Sequence, residues 1–423
     1  MERSKRNSIF SDVDWAVVLL YLLLITMGWL NIYSAVYNED HHVITDMTQK
    51  YGKQLLWIGT SLIIALIILI IDEKFYTVFA YIIYAVFLLA CIAVPYLGRE
   101  VKGSRSWFRF GDFGLQPAEF MKFATNLAIA KFLSNQFIKI TDYRNTIITL
   151  IIIGIPFLAI KVLEDETGLA IVFSAFIFTL YREGLSVNYL LLGFLAIVLF
   201  ILALMVNSIY LFIIIGSLCV VATLFIKRNA QNLFVVALIG LVACGMVKGT
   251  STVYGHLEAH QKVRIDVLLG RGTVNLKKEG YNVNQAKIAI GSGGWTGKGY
   301  LNGTQTKYEF VPAQDTDFIF CTVGEEWGFV GSTIVIILEL ILIIKVIFMA
   351  ERQRSPFSRI YGYGVASVLF FHLTINVGMT IGLAPVIGIP LPFFSYGGSS
   401  LWSFTILLFI FIKLDSHRLA ILR

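Results

Sequence analysis

Long apolar runs separated by short polar breaks recur from one end of the chain to the other. A helix needs about 20 apolar residues to cross the hydrocarbon of a bilayer. About twelve runs approach that length: 15–36, 53–71, 76–95, 117–134, 145–163, 168–181, 186–206, 208–226, 231–249, 328–349, 359–381 and 398–413. The pattern predicts an all-α polytopic membrane protein with about 12 transmembrane helices, built as a single membrane domain over 1–423. The first run is as long as a full span and leads into NIYSAVYNEDHH with no small-residue cleavage site, which predicts a retained helix rather than a signal peptide. Two polar interruptions stand out by length, 96–116 and about 250–327. Loops beyond about 12 to 15 residues are usually functional or disordered, and the second is too rich in Trp, Tyr, Phe and Gly motifs for simple disorder.

Composition agrees with this reading. Hydrophobic residues make up 57% of the chain and charged residues 14%, against roughly 25% charged in soluble domains. The net charge of +7 would suit nucleic acid in a soluble protein; here it reads as cytoplasmic Lys and Arg beside anionic membrane lipid, with no nucleic-acid partner. Cys91, Cys219, Cys244 and Cys321 are scattered and form neither a disulfide framework nor a CxxC metal site. Lys and Arg in alternate short breaks, Lys74, Lys139 with Arg144, Arg182, Lys227 with Arg228, and Arg352 with Arg354, predict both termini on the cytoplasmic side. The long segments 96–116, carrying Arg99, Lys102, Arg105 and Arg109, and 250–327 then lie outside against the charge rule, and are the expected working surface.

Several short motifs carry candidate chemistry, each beside a plainer account. QPAEFMK opens the fourth span with Pro117 in the first helical turn and sets Glu119 and Lys122 three apart on one face. They are either an interfacial ion pair with a snorkelling Lys or a cation held toward an anionic headgroup. LEDETGLA supplies Glu164, Asp165 and Glu166, a solvated charge run or ligands for a hard divalent cation. IAIGSGGWTGKGYLNGTQTK fails both common phosphate-loop patterns and leaves a tight turn or a sugar and phosphate cradle. HLEAH lacks the zinc-protease spacing, so His256 and His260 read as a helix-surface pair. Glu339 lies mid-span, with a structural hydrogen bond or a substrate path as its two readings.

Taken together, KGSRSWFRFGDFGLQPAEFMK, YNVNQAKIAIGSGGWTGKGYLNGTQTKYEFVPAQDTDFIFCTVGEEWGFVG and GIPLPFFSYGGSS resemble the SEDS family (shape, elongation, division, sporulation), in its RodA-type elongation branch. The resemblance runs from the first span to the last. It implies a peptidoglycan glycosyltransferase that polymerises lipid II into glycan strands by inverting transfer, releasing undecaprenyl pyrophosphate on the outer face of the bacterial inner membrane. The implied partners are a class B penicillin-binding protein transpeptidase and the other proteins of the elongation complex. The family core has ten spans, and the surplus here is placed as a two-helix insertion within 186–249. Two rival readings stand beside it: a lipid II flippase, and a noncatalytic scaffold.

The resemblance also assigns roles. Glu119 and Lys122 match the P-[SA]-E-x-x-K pair, and Glu166 takes the Asp position of Q-P-D-x-G, where it is also the candidate metal ligand for Mg or Mn. Arg105, Arg109, Lys277 and Lys278 are the expected cations for the pyrophosphate; Gln285, Lys298, Gln305, Asp317, Ser395 and Ser399 complete the expected substrate-binding set. Ser106 replaces an Arg common in the family, and Ala313 and Asp315 alter two polar positions before Asp317. The largest departure is Asn275, which stands where D-P-x-G-x-G-Y has the Asp implied as general base. A carboxamide has no ionisable group near neutral pH. Asn275 is thus an engineered substitution, or another carboxylate such as Asp266 or Glu279 replaces the Asp, or the chain is a paralogue with little polymerase activity.

Overall fold

The computed structural model describes residues 12–37, 44–101, 104–111, 113–225, 229–257, 259–269, 280–308 and 310–418. Two compact units emerge, Met1–Gly184 with Tyr281–Arg423, and Leu185–Gly280. The first begins with α1 (Trp15–Ala35), α2 (Lys50–Ile70) and α3 (Glu73–Leu97), continues through strands β1 (Arg99–Val101), β2 (Ser104–Phe110) and β3 (Phe113–Leu115), then α4 (Pro117–Leu133), α5 (Tyr143–Leu163), α6 (Thr167–Val172), a 3-10 turn (Phe173–Ala175) and α7 (Phe176–Arg182). The second unit holds α8 (Val187–Met205), α9 (Ser208–Phe225), α10 (Ala230–His256) and α11 (Ala259–Leu269). The chain returns to the first unit with α12 (Tyr281–Ser292), α13 (Thr304–Lys307), α14 (Ile319–Glu351), α15 (Pro356–Thr380) and α16 (Gly398–Ser416).

Among the described residues, ten helices are long and apolar enough to cross a membrane: α1 to α3, α5, α8 to α10 and α14 to α16. Two of the apolar runs in the sequence fold as shorter helices, the 17-residue α4 and the α6–α7 pair interrupted by its 3-10 turn. α4 is enclosed on every side, so its sequence needs no lipid-facing stripe and carries Glu119, Lys122, Thr125 and Asn126 as buried side chains. α15 and α16 are also interior, with 72% and 78% of their apolar windows buried; α3, at 17%, turns most of its surface outward.

Apolar burial does not hold such helices together in lipid, so close approach and hydrogen bonds do. Tyr21 Oη meets Thr405 Oγ1 at 2.9 Å and Ser61 Oγ at 3.3 Å, joining α1, α16 and α2. Asn126 Nδ2 donates to the Tyr361 carbonyl at 2.9 Å, and Gly364 leaves room for that side chain: a Cβ there would sit 1.8 Å from Asn126 Oδ1.

The segment expected as the loop 96–116 is an antiparallel sheet of order β1-β2-β3, with Phe108 opposite Leu115 and Arg109 opposite Gly114. The helical class stands, with this small sheet added. The segment expected as the loop 250–327 is also largely helical: α10 runs seven residues past 249 to His256, α11 and α12 follow, and α14 begins at Ile319. At Gly328 α14 is broken by a non-helical residue (φ 64°, ψ −159°), which is where the apolar run of the sequence starts.

Within the second unit, Leu211, Ile215 and Val247 form a small core with Leu199, Ala203 and Ala243 packed against it. Tyr254 Oη donates to Asp266, 2.7 and 2.6 Å from its two carboxylate oxygens, and closes α11 onto α10.

Candidate active site

Pro117 starts α4, and Gln116, the residue before it, is held by its backbone N–H to Ser399 Oγ at 3.2 Å. Glu119 and Lys122 follow within the first turns, 3% and 0% exposed. Lys122 Nζ donates to Glu119 Oε2 at 2.6 Å, lies 3.3 Å from His372 Nε2 and sits 4.2 Å from the ring centre of Phe404. Ser403 Oγ donates to the Glu119 carbonyl at 2.5 Å. This is not a snorkelling Lys at a boundary, since neither end of the pair reaches the surface. A buried pair of this kind is weak evidence for stability, because desolvation offsets the Coulombic gain. Its value is preorganisation: a cation, a carboxylate and an aromatic face are fixed by α4, α15 and α16 before any ligand arrives.

Strand alternation sorts the next group. Arg105 and Arg109 point to one face of β2 and are exposed, whereas Ser106 points to the other and is fully buried. Ser106 Oγ donates to Glu166 Oε1 at 2.9 Å. The two arginines expected at the pyrophosphate and Glu166, the expected metal ligand, therefore lie on opposite sides of the strand. The neighbouring carboxylates diverge as well. Asp165, with φ 53°, pairs with Lys161 at 2.7 Å. Glu164 is buried, and burial pushes its pKa up to about 8; the Cys91 thiol opposes the rise and the charge of Glu166 adds to it. No group of three His, Cys, Asp or Glu side chains suited to a metal occurs among the described residues. The donor set at 164–166 does not fit a divalent ion, since Asp165 is held by Lys161 and Glu166 by Ser106.

The GIPLPFFSYGGSS segment is bound tightly to its surroundings. Ser395 Oγ donates to the Thr316 carbonyl at 2.7 Å and accepts from Leu391 N at 2.9 Å, while Ser399 Oγ donates to the Gly114 carbonyl at 3.0 Å. Both hydroxyls serve backbone groups. Asn376 Nδ2 bridges the carbonyls of Asp317 and Ile389, each at 2.8 Å. Asp317 is partly buried, and Gly388 brings backbone close to its carboxylate, where a Cβ would be 3.3 Å from Oδ2.

The Gly-rich stretch forms a tight turn against α14. Its amides meet α14: Lys298 N to Glu325 O and Gly299 N to Glu326 O, both 3.0 Å, with Phe329 N returning to Gly294 O at 2.9 Å. Lys298 Nζ pairs with buried Glu325 at 2.6 Å, and the same carboxylate accepts from the amides of Gln305 and Thr306 at 2.9 Å. Lys298 and Gln305 are thus tied into the α13–α14 junction. Gln285 lies half-buried on α12. Asn275, Lys277, Lys278 and Glu279 lie outside the described residues, whereas Asp266 is engaged by Tyr254.

Three contributors escape the sequence reading: His372, Phe404 and Glu325. A lone His inside an apolar span, FFHLTIN, is a signal in its own right, because ionisable groups in spans face the bundle interior. Glu325 gives no comparable signal. Glu339, the mid-span acid that the sequence does flag, is fully buried, and neither of its oxygens meets a hydrogen-bond partner among the described residues.

Residues 14–217 and 208–419 match the family model for FtsW, RodA and SpoVE, described as cell cycle protein. The chain belongs to this family. As a SEDS protein it aligns from end to end with relatives of similar length. It is 32% identical to the peptidoglycan glycosyltransferase RodA of Treponema pallidum, over 97% of this chain and 99% of that one. It is 30% identical to the peptidoglycan glycosyltransferase MrdB of Escherichia coli K12, over 96% and 94%. Among solved structures, a chain from a study of polymerization and crosslinking by a peptidoglycan synthase complex superposes with TM-score 0.71 at 23% identity, over 96% of this chain and 98% of that one. The rod shape determining protein RodA of Thermus thermophilus superposes with TM-score 0.61 at 24% identity, over the same shares. These two likenesses show the fold, and the family match together with the ten apolar helices makes the chain a multi-pass membrane protein.

Proposed function

We propose that this chain is a peptidoglycan glycosyltransferase that polymerises lipid II into glycan strands during cell elongation. It acts on the outer face of the bacterial inner membrane, with both termini in the cytoplasm and a class B penicillin-binding protein as its transpeptidase partner. The observation that carries the reading is the buried Glu119–Lys122 pair at the start of α4, in a chain that aligns over 97% of its length with a glycosyltransferase relative.

In the reaction, the acceptor sugar hydroxyl attacks the donor anomeric carbon from the face opposite the leaving group. A carbon–oxygen bond forms, the bond to the pyrophosphate breaks, its electron pair leaves with undecaprenyl pyrophosphate, and the hydroxyl proton passes to a base. Charge develops on the pyrophosphate, which fixed cations stabilise best where water is excluded. Lys122 is such a cation, and Glu119 holds it in place until substrate competes for it. Exposed Arg105 and Arg109 draw the anionic headgroup toward the sheet. Proton transfer to a positioned base contributes about 10²- to 10⁴-fold, and Asn275, at the position the resemblance gives to an Asp, cannot itself be that base.

The test is to incubate the purified chain and its transpeptidase partner with labelled lipid II. A glycan ladder on a gel supports the reading. Movement of lipid II across sealed vesicles with no polymer contradicts it in favour of a flippase.

A further inference from the structure

We propose that His372 is a positioning residue for Lys122. The inference deepens the proposed function and rests on Lys122 being the buried cation of the transfer site. His372 lies on α15 and is fully buried. Its Nδ1 is 3.0 Å from the Pro390 carbonyl oxygen. A ring nitrogen lone pair and a carbonyl oxygen repel at that distance, so Nδ1 carries the hydrogen and donates it; this assignment follows from the network. Nε2 keeps its lone pair and accepts from the Lys122 ammonium at 3.3 Å. An imidazolium would turn an N–H toward that ammonium, so the arrangement requires the neutral ring.

Phe404 closes the cage. Its ring meets the imidazole edge-on, with centroids 4.8 Å apart at 87°, and presents its π-system 4.2 Å from Nζ. Glu119 reaches Lys122 only along the α4 surface, because the two are three residues apart on one helix. A Lys side chain is a flexible stem with rotatable donors. The acceptor on α15 removes the sideways freedom that Glu119 leaves. Pro390 belongs to the segment that also meets Asn376 through Ile389 and Thr316 through Ser395. His372 therefore couples the place of the Lys122 charge to the place of that segment, which itself packs on the Asp317 carbonyl through Asn376.

The test has two arms. Nitrogen-15 spectra of histidine-labelled protein, with His372 assigned by its loss in H372Q, should show Nδ1–H and an Nε2 resonance that moves in K122M. An Nε2 that carries hydrogen, or that ignores K122M, overturns the proposal. The kinetic arm uses the Asn275→Asp chain with its transpeptidase. H372N keeps a donor for Pro390 but cannot reach Lys122, whereas H372Q returns a carboxamide oxygen near the Nε2 position. Expected are a fall of at least about tenfold in kcat for H372N with KM changed by less than about threefold, since misplacement of a charge is felt in the transition state. H372Q should recover most of that loss. Equal losses in H372N and H372Q overturn the positioning role and leave only packing. Failure of the proposed function reads differently: no variant makes polymer, while the spectra still report the Lys122–His372 contact.

Discussion

Ser106 Oγ lies 2.9 Å from Glu166 Oε1 and ties strand β2 to the residue that precedes α6. The bond joins two positions that the resemblance marks as departures, a Ser for an Arg and a Glu for an Asp. Replacing Ser106 with Ala should remove a hydrogen bond to a charged acceptor, about 1.5 to 3 kcal/mol. Thermal unfolding in detergent should show the loss, and Glu166→Ala should add little once Ser106 is gone.

The Glu119–Lys122 pair makes a prediction of opposite sign for single and double changes. Glu119→Leu or Lys122→Met alone leaves one charge buried without its partner and should cost about 3 to 5 kcal/mol. The double variant should recover much of that stability while polymer synthesis stays lost. Denaturation curves for the four proteins, with activity measured in parallel, separate the two effects.

Glu164 gives a pH dependence. Its folded-state pKa is raised to about 8 from an ordinary value of 4.5 by burial. Because the folded protein favours the neutral acid, this site's contribution is fully present below about 4.5 and is lost as pH rises through about 8. The melting temperature of the parent should therefore fall between those limits, and Glu164→Gln should flatten the fall. A parent and variant with parallel pH profiles would contradict the assignment.

Gly328 sits where α14 breaks, at φ 64° and ψ −159°, and a Cβ there would lie 2.3 Å from the Gly297 amide nitrogen. That backbone region is nearly exclusive to glycine and costs other residues about 1 to 3 kcal/mol, before the clash is counted. Gly328→Ala should lower thermal stability and weaken the turn that holds Lys298 on Glu325. Hydrogen exchange at Phe329 and Val330, whose amides bond to the Gly-rich turn, should rise.

The spans were legible because a membrane imposes one length and one polarity on each helix, and the pattern survives without knowledge of neighbours. The pairing of Glu119 with Lys122 was legible, since a spacing of three puts both on one helix face, but its full burial was not, because that is set by the neighbouring helices. The sheet was not. SRSWFRF does alternate, with Arg105 and Arg109 on one face and Ser106 on the other, but it spans seven residues and its partners are shorter still. The separation of the arginines from Glu166 follows directly from that missed period of two. The role of the Gly-rich turn was hidden because its amides are satisfied by carbonyls of α14, a tertiary fact with no local signature. His372 and Phe404 reach Lys122 from helices about 250 and 280 residues along the chain, beyond any spacing rule. The Asn275 position lies outside the described residues.

The most direct measurement compares polymer formation from labelled lipid II by the parent chain and its Asn275→Asp variant, each with its transpeptidase partner. If an Asp at 275 restores the proton acceptor, the variant should make glycan strands about 10² to 10⁴ times faster than the parent, and Lys122→Met should abolish the gain. A variant no faster than the parent, with synthesis that disappears in Glu279→Gln instead, would contradict the account and move the base to Glu279.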